Sequence, residues 1–344
     1  MSSGKYYKAT APSNIAFIKY WGKQDEKLQW PANSSLSMSL DQLHSETRAQ
    51  VLNDASEHQV FLNGKALQAD AGPGKKVFQH LDFLASRYQD ELPKLAIHSV
   101  NHFPTGCGIA SSASGLAALT IAALAAWLQV EDLDGFSQHD ISREQLAHLA
   151  RQGSGSAGRS LWGGFVRWAP GANPNAQELT PVYPAEQWAL RDTVVLFSEQ
   201  EKKTSSTDAH RLAWTSPLFL PRLAAIDDRL RRVEQAIQER CIDTLGELIE
   251  LDCLEMHGVI MSANPPVHYF DQETASFLAW IRKIRKQEGL RVYFTLDAGA
   301  NVHLIYEDCE HGKLMQILES KFPASHLLCD QVGRGPTLRV EVDE

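Results

Sequence analysis

The 344-residue sequence has no apolar segment long enough to cross a membrane. Its longest apolar run, Ala113 to Leu128, is shorter than the roughly 20 residues that a transmembrane helix requires. The first residues, MSSGKYYKAT, lack the apolar core of a secretory signal peptide. The sequence therefore predicts a cytoplasmic protein without a membrane partner.

Cysteine and positive charge are also scarce. The 5 cysteines form no C-x-x-C pair and the 13 histidines show no metal-ligand spacing, so we expect reduced thiols and no metal site built by the protein alone. A net charge of -9 argues against nucleic acid as a partner. An anionic ligand must then be met by positive charge that is gathered locally. The candidates are Lys19, Lys23, Lys75, Lys76, Arg151, Arg159, Lys202 and Lys203.

The two commonest phosphate-binding motifs, the Walker A sequence and the dinucleotide G-x-G-x-x-G, are missing. A different small-residue segment, PTGCGIASSASGL from Pro104 to Leu116, runs straight into an Ala-rich apolar helix. Small residues allow backbone N–H groups to surround an anion, and the first turn of a helix adds unpaired N–H donors. These residues predict a phosphate site, although a loop leading into a tightly packed helix explains the same pattern.

Strand and helix patterns alternate along the chain and indicate an α+β sandwich. Asn63-Gly64 is predicted to close a hairpin over 46–62, and Ser142 with Gln145 predicts a capping box. Residues 224–256 show one or two amphipathic helices. Further strands are predicted at 8–21, 96–101, 164–168, 188–197, 291–297, 302–306 and 338–342, and further helices at 77–88, 274–286 and 313–321.

Two residues of opposite charge stand at the ends of predicted strands. The two-residue period of a strand places Lys19 on the face of Ile15 and Phe17, where an ammonium group needs a partner. Asp297 follows an apolar run and precedes Ala-Gly, so its carboxylate stands where a strand opens into a tight loop. The alternatives are a lysine whose head reaches solvent and an aspartate that only forms a turn. Local sequence alone favours the turn.

The segment Arg151 to Ser160, RQGSGSAGRS, combines hydroxyl and guanidinium groups. Serine hydroxyls and arginine forks suit carboxylate and phosphate oxygens, which arginine binds bidentately. A helix end followed by a glycine-rich turn explains the same residues, more readily for Arg151 than for Arg159.

Five segments, in this order, resemble known proteins. PTGCGIASSASG is similar to the nucleotide-phosphate loop of the GHMP small-molecule kinase superfamily. With NIAFIKYWGK, NSSLS, RQGSGSAGRS and DAGAN, it resembles the mevalonate diphosphate decarboxylase family from about Ala11 to about Tyr306. The resemblance implies a two-lobed α+β fold of the GHMP kinase type, with the active site in the cleft between the lobes. The lobes would be a ribosomal protein S5 domain 2-like lobe over residues 1–187 and a ferredoxin-like α/β sandwich over residues 188–344.

The same resemblance implies an activity, the ATP-dependent decarboxylation of (R)-5-diphosphomevalonate to isopentenyl diphosphate in the mevalonate pathway of isoprenoid biosynthesis. The implied cofactors are ATP and Mg²⁺, with the Mg²⁺ carried by the nucleotide near Ser111 and Ser112, and we expect a homodimer. Three rivals stay open. They are a decarboxylase of the monophosphate, a kinase that phosphorylates the 3-hydroxyl without decarboxylation, and a non-catalytic nucleotide sensor.

The family pattern also assigns roles to residues. Asp297 would orient the tertiary hydroxyl and accept its proton with help from Lys19, and Arg159 with Asn14 would hold the carboxylate that is lost. The implied substrate-binding residues are Tyr20, Trp21, Gly22, Lys23, Lys76, Ser154, Gly155, Ser156, Arg159 and Thr207. The implied nucleotide-binding residues are Pro104, Gly106, Gly108, Ala110, Ser111, Ser112 and Ser114. The chain departs from the pattern at Ala300 (usually proline), Gly158 (usually cysteine) and Lys76 (usually arginine).

Overall fold

The computed structural model describes residues 4–88, 91–103, 111–197, 206–269 and 271–342, apart from the side chains of Ser111 and Thr207. The strands are β1 (Lys5–Ile18), β2 (Lys23–Asp25), β3 (Trp30–Pro31), β4 (Ser35–Leu52), β5 (Gln59–Leu62), β6 (Lys65–Ala66), β7 (Lys94–Asn101), β8 (Phe165–Ala169), β9 (Glu178–Tyr183), β10 (Leu190–Val195), β11 (Val292–Thr295), β12 (Val302–Glu307), β13 (Leu327–Gln331) and β14 (Thr337–Val342). The α-helices are α1 (Gly72–Ala85), α2 (Ser111–Leu128), α3 (Arg143–Gly153), α4 (Ser206–Leu212), α5 (Phe219–Glu239), α6 (Ile242–Met261), α7 (Gln272–Glu288) and α8 (His311–Glu319). None of the described helices has the length and apolar character that a bilayer-spanning segment requires.

Two large sheets organise most of these elements, and β2 and β3 pair in a separate two-stranded sheet. The first runs β14-β1-β4-β7-β5-β6, and β8 and β9 extend it from β4. The second runs β11-β12-β10-β13, with every neighbouring pair antiparallel. The last strand, β14, returns to the first sheet and pairs with β1, so that Lys5 lies opposite Val342. This mixture of helices with two mostly antiparallel sheets confirms the predicted α+β class.

The first half of β4 is buried on both faces. In its sequence S-L-S-M-S-L, alternate residues face opposite sides of the strand. Leu36 and Met38 enter an apolar core that residues of both sheets and of α5 and α6 share. Ser35 and Ser37 occupy the other face and are also fully buried. Because half of these positions are serine, the expected strand began only near residue 46.

Helix α2 packs against β1 and β4 of the first sheet. Alanines such as Ala117 and Ala122 are fully buried, and their small side chains allow the helix to approach the sheet closely. Ser114 Oγ lies 2.8 Å from Ser45 Oγ and ties the helix to β4. The prediction of a buried helix here is confirmed.

Helix α6 contacts both sheets, since it packs against β11 of the second and β1 of the first, as well as against α5. The prediction of one or two helices over 224–256 is confirmed, and there are two. Since β1 and β11 belong to different sheets, this helix can fix groups at the ends of both.

Local signals in the sequence were reliable. Ser142 Oγ accepts the Gln145 N–H at 3.2 Å and Gln145 Oε1 accepts the Ser142 N–H at 2.6 Å, which is the predicted capping box of α3. The Asn63-Gly64 turn also forms, but it joins β5 to the short β6, because β5 pairs with β7 rather than with β4. The expected hairpin over 46–62 is therefore wrong in its pairing.

Candidate active site

A cleft of about 670 Å³ lies beyond the end of β1, beside the loop that follows β11. The structure brings most of the sequence-predicted residues into its lining. They are Asn14, Lys19, Tyr20, Trp21, Lys23, Lys76, Ser112, Ser154, Gly155, Ser156, Arg159 and Asp297.

Lys19 and Asp297 form an ion pair in this cleft, with 2.7 Å between Nζ and Oδ1. The Lys19 side chain is 2% exposed, whereas the Asp297 side chain is 26% exposed and opens on the cleft. Burial alone raises the pKa of the Asp297 carboxyl, but the Lys19 ammonium outweighs it and holds that pKa below its usual value. Asp297 is therefore ionised and accessible, as a proton acceptor must be.

The loop that carries Asp297 has the predicted geometry. Asp297 follows β11, and its carbonyl accepts the Gly299 N–H at 2.7 Å, which closes a tight turn. The Thr274 hydroxyl, at the start of α7, donates to the Ala300 carbonyl at 3.2 Å. This bond anchors the loop at the position where the family pattern has proline.

The surroundings of Lys19 differ from the expectation. Ile15 and Phe17 enter the apolar core, whereas Lys19 lines the cleft together with Ala16. The pairing of β1 with β4 is irregular between Ala16 and Ile18, which interrupts the alternation of faces before Lys19 is reached. The expectation that Lys19 shares a face with Ile15 and Phe17 is wrong.

Asp252 on α6 fixes the main chain of Lys19. Asp252 Oδ2 accepts the Lys19 N–H at 2.8 Å, and Arg222 donates to Asp252 Oδ1 at 2.8 Å and to the Lys19 carbonyl at 3.3 Å. Arg229 donates to Asp252 Oδ1 at 2.9 Å. The side chains of Asp252, Arg222 and Arg229 are all buried, and we call these three residues the Asp252 brace. Burial opposes ionisation of Asp252, but the arginines hold its pKa below the usual value.

Residues of α6 that follow Asp252 contact the chain beside Asp297, the ion-pair partner of Lys19. The Leu296 N–H donates to Cys253 Sγ at 3.1 Å. Hydrogen bonds also join the His257 side chain to the backbone of Leu296 and Asp297, and burial lowers the pKa of His257 to about 3, so that the ring is neutral. One helix thus positions the main chain on both sides of the ion pair.

Arg159 is 3% exposed and has only neutral partners in the described part of the chain. Its Nη1 donates to Ser35 Oγ at 2.9 Å and its Nε to Ser37 Oγ at 3.0 Å. The Asn14 Oδ1 accepts from Nη2 at 3.2 Å. Burial lowers the pKa of Arg159 to about 10, and Asp297 nearby opposes this effect. A charged guanidinium buried without a carboxylate is costly, so the site favours an anionic ligand.

Arg159 stands in a 3-10 turn, Gly155–Leu161, that leaves little space at its glycines. A Cβ on Gly155 would lie 2.8 Å from the Tyr20 ring. A Cβ on Gly158 would lie 2.8 Å from Leu179 Cδ1 and 3.0 Å from the Ala147 carbonyl oxygen. Glycine therefore fits the space around residue 158, where the family pattern has cysteine.

Lys23 and Lys76 gather positive charge in the same cleft. Burial and the charge of Lys76 lower the pKa of Lys23 to about 8, and burial also lowers the pKa of Lys76. Gly22 turns the chain into Lys23 with φ +80, and a Cβ on it would lie 2.3 Å from the Phe219 ring. Neither lysine forms an ion pair with a described residue, and the Glu26 carboxylate offsets only part of their repulsion, so a bound anion would relieve it further.

Two further donors in the cleft lining have no hydrogen-bond partner among the described residues. Tyr20 Oη and Trp21 Nε1 are buried and make no hydrogen bond within the described ranges. Burial raises the pKa of the Tyr20 hydroxyl, so it keeps its proton. Buried donors are seldom left unsatisfied, and oxygens of a bound anion would satisfy both.

The predicted nucleotide site is described only in part. Some of the predicted binding residues lie outside the described residues. They are Pro104, Gly106, Gly108, Ala110 and the side chains of Ser111 and Thr207. Ser112 lines the cleft, with Oγ 3.2 Å from Ser154 Oγ. Ser114 is fully buried against Ser45 and does not line it. Among the described side chains, no group of three or more His, Cys, Asp or Glu could hold a metal ion.

Comparison with known proteins identifies the relatives of this chain. Residues 11–179 match the model of the diphosphomevalonate decarboxylase-like N-terminal domain, and residues 193–342 match that of the mevalonate 5-diphosphate decarboxylase C-terminal domain. This chain belongs to the diphosphomevalonate decarboxylase family. The matches leave residues 180–192 unassigned, and the lobe boundary at 187/188 stays a prediction.

Members of the diphosphomevalonate decarboxylase family resemble the chain over nearly its full length. The diphosphomevalonate decarboxylase of Ganoderma lucidum is 36% identical, and the match covers 94% of this chain and 84% of the relative. A structure of the mevalonate diphosphate decarboxylase from Enterococcus faecalis has 34% identity and a TM-score of 0.86, covering 98% of this chain and 99% of that one. A structure described as MDDEF in complex with MVAPP, AMPPCP and magnesium has 34% identity and a TM-score of 0.87, with the same coverage.

Sequence reasoning missed several residues of the site. Ser35 and Ser37 hold Arg159; the segment NSSLS that contains them entered the family resemblance without an assigned role, and the strict S-L-S-M alternation is the signal that could have supplied one. Asp252 is an acidic residue among the apolar positions of LIELDCLEMH, which suggests a buried charge with a partner. His210 also lines the cleft, and nothing in its local sequence distinguishes it from the other histidines.

Proposed function

We propose that this chain catalyses the ATP-dependent decarboxylation of (R)-5-diphosphomevalonate to isopentenyl diphosphate, with release of ADP, phosphate and carbon dioxide. One observation carries the proposal. An ionised carboxylate paired with lysine shares a cleft with a buried arginine that has only neutral partners in the described residues. The first group suits proton abstraction, and the second suits a carboxylate.

The first half of the reaction concerns a tertiary hydroxyl, which is a poor leaving group until it is phosphorylated. Asp297 orients this hydroxyl and accepts its proton, and ATP with Mg²⁺ supplies the phosphoryl group. Lys19 keeps Asp297 ionised through the 2.7 Å ion pair. The Asp252 brace holds the Lys19 main chain, so the ammonium stays in register with the carboxylate.

The second half concerns the carboxylate of the substrate. Loss of phosphate builds positive charge on the tertiary carbon, and the electron pair released with carbon dioxide neutralises it. Arg159 holds the departing carboxylate, and the hydroxyls of Ser35 and Ser37 with the Asn14 amide fix the plane of the guanidinium. A ligand carboxylate also supplies Arg159 with a counter-charge in direct contact, whereas Asp297 acts on it without a hydrogen bond.

The diphosphate occupies the other part of the cleft in this proposal. Lys23 and Lys76 supply two positive charges, and the Tyr20 hydroxyl and Trp21 indole supply two neutral donors. Two lysines in one cleft suit a diphosphate better than a monophosphate, because each added anionic group offsets more of their mutual repulsion. Ser154, Gly155, Ser156, Gly22 and Thr207 complete the proposed substrate site.

We assign the nucleotide to the segment from Pro104 to Ser114, with Mg²⁺ carried by its phosphates near Ser111 and Ser112. Ser112 on the cleft lining supports this assignment, and so do the AMPPCP and magnesium bound by MDDEF. The cytoplasmic location, the homodimer and the lobes over 1–187 and 188–344 belong to the same proposal and rest on the sequence.

The test is to incubate the purified protein with Mg-ATP and either 5-diphosphomevalonate or 5-phosphomevalonate, and to measure ADP and carbon dioxide together. We expect equal yields of both products with the diphosphate. Carbon dioxide from the monophosphate alone would identify the sister decarboxylase. ADP without carbon dioxide would identify a kinase, and neither product with either substrate would indicate a sensor.

A further inference from the structure

His210, on α4, stands between two of the residues assigned to the diphosphate. Its ring centroid is 4.4 Å from that of Tyr20 and 4.5 Å from that of Trp21. The residue is 6% exposed, and it forms part of the cleft lining. Aromatic contacts on two sides hold the plane of the imidazole, so its two nitrogens point in fixed directions.

One of these nitrogens has a settled role. The Gly22 N–H donates to His210 Nδ1 at 3.0 Å. A backbone N–H can only donate, so Nδ1 must be the unprotonated nitrogen that accepts. The neutral ring then carries its proton on Nε2.

The ring is also held neutral. Burial, together with the charge of Lys23, keeps the pKa of His210 well below its ordinary value. The imidazole is therefore a neutral donor beside a lysine, and it adds no repulsion to the positive charge of Lys23 and Lys76. His210 lines the cleft, and Nε2 makes no hydrogen bond to the described part of the chain.

We propose that His210 is a substrate-binding residue whose Nε2–H donates to an oxygen of the diphosphate, with its tautomer fixed by the Gly22 N–H. The identity of this ligand rests on the proposed function. This adds a neutral donor on a ring that contacts the rings of Tyr20 and Trp21 in the same cleft lining. Such donors add hydrogen bonds to an anion without the repulsion that a third cation would bring.

Two substitutions of His210 test the roles of Nδ1 and Nε2 separately. In His210→Asn the amide oxygen can replace Nδ1 and accept the Gly22 N–H, but no group reaches the position of Nε2. In His210→Gln the longer amide can place an N–H near the position of Nε2, at the expense of the Gly22 bond. Both variants lose the ring and its stacking alike, and they differ in which of the two nitrogen positions keeps a hydrogen-bonding group.

The experiment measures the binding of inorganic pyrophosphate, and of 5-diphosphomevalonate without nucleotide, to the wild-type chain and to both variants by calorimetry. We expect His210→Asn to weaken both affinities about 10-fold or more, the scale of a hydrogen bond to a charged group, and His210→Gln to stay within about 3-fold of wild type. In steady state, His210→Asn should raise KM and leave kcat nearly unchanged. Thermal midpoints should fall in both variants, and at least as far in His210→Gln, which also loses the Gly22 bond.

Three results would overturn the proposal. They are wild-type affinity in His210→Asn, equal losses of affinity in both variants, and no binding of pyrophosphate by the wild type. The wild-type chain is assayed in parallel for carbon dioxide release. If it releases none while pyrophosphate binding follows the expected order, the proposed function fails and the donor role of His210 stands.

Discussion

Two buried arginine environments lie close together in this molecule and differ in their partners. In the Asp252 brace, Arg222 and Arg229 meet the carboxylate of Asp252 at 2.8 and 2.9 Å, and Arg229 also meets Glu255 at 2.7 Å. Arg159 meets only hydroxyl and amide oxygens. Within the fold, the arginines of the brace have direct carboxylate partners, whereas Arg159 would acquire one only from a ligand.

The difference shows how burial can be read for function. The desolvation cost of a buried charge is offset within the fold when a buried counter-charge binds it with good geometry, and such a pair fixes the position of both groups. A buried charge with neutral partners keeps a free-energy penalty in the free protein, and that penalty is relieved when an anion binds. Lys19 joins the two regions, because its backbone belongs to the brace and its side chain belongs to the cleft.

The largest effect is expected on the reactive side, at Asp297. Asp297→Asn should lower turnover by about 10²–10⁴-fold, because the amide can still form hydrogen bonds but cannot accept a proton. Carbon dioxide release is the measurement, and nucleotide affinity should hardly change. Asp308→Asn, which removes a mostly exposed carboxylate paired with Arg191, is the matched control and should behave as wild type. Near-normal turnover in Asp297→Asn would remove this residue from the mechanism.

A substitution in the Asp252 brace should lower the stability of the fold. Asp252→Asn leaves two buried guanidinium groups short of a counter-charge, and we expect the free energy of unfolding to fall by about 3–5 kcal/mol. Asp228→Asn on α5 breaks an exposed pair with Arg231 and should cost about 0–1 kcal/mol. Urea denaturation of both variants gives the comparison. Equal, small losses would mean that the brace is no more important than a surface pair.

Arg159→Lys tests whether the open arginine acts after phosphoryl transfer. Charge is conserved, but the planar fork that Ser35 and Ser37 orient is lost. We expect carbon dioxide formation to slow by about 10²-fold, with ADP formation less affected, since a small misplacement of the reacting group has effects of this size. Both products are followed in one single-turnover experiment. Wild-type rates and yields of both would exclude the assigned role.

Lys19→Met should change the pKa of the Asp297 carboxyl. It should leave the Asp252 brace in place, because Asp252 binds the backbone of Lys19. Without the ammonium, burial dominates at Asp297 and raises its pKa. The base works when ionised, so activity is lost as the pH falls through this pKa. The acidic limb of the pH-rate profile should therefore shift to higher pH, at reduced turnover. A limb at its wild-type position would show that Lys19 does not set the ionisation of Asp297.

Much of the fold could be predicted, because its signals are local. The capping box at Ser142 and the turn at Asn63-Gly64 depend on neighbouring residues and form as expected. The first half of β4 was missed because its serines resemble a polar loop until Arg159 is known to lie behind them. Strands β9 and β13 had no counterpart among the expectations, since Leu179 and Leu327 acquire their buried positions only from tertiary packing.

The sequence by itself determined the family and the α+β class, and its motifs predicted site roles for Lys19, Arg159 and Asp297, which the structure places in one cleft. Only the tertiary structure decided that Lys19 leaves the face of Ile15 and Phe17. It also decided that α6 holds both members of the ion pair and that His210 stacks beside Tyr20. The physical reason is sequence separation. Lys19 and Asp252 are 233 residues apart, and Lys19 and Asp297 are 278 apart, so no local pattern encodes these contacts.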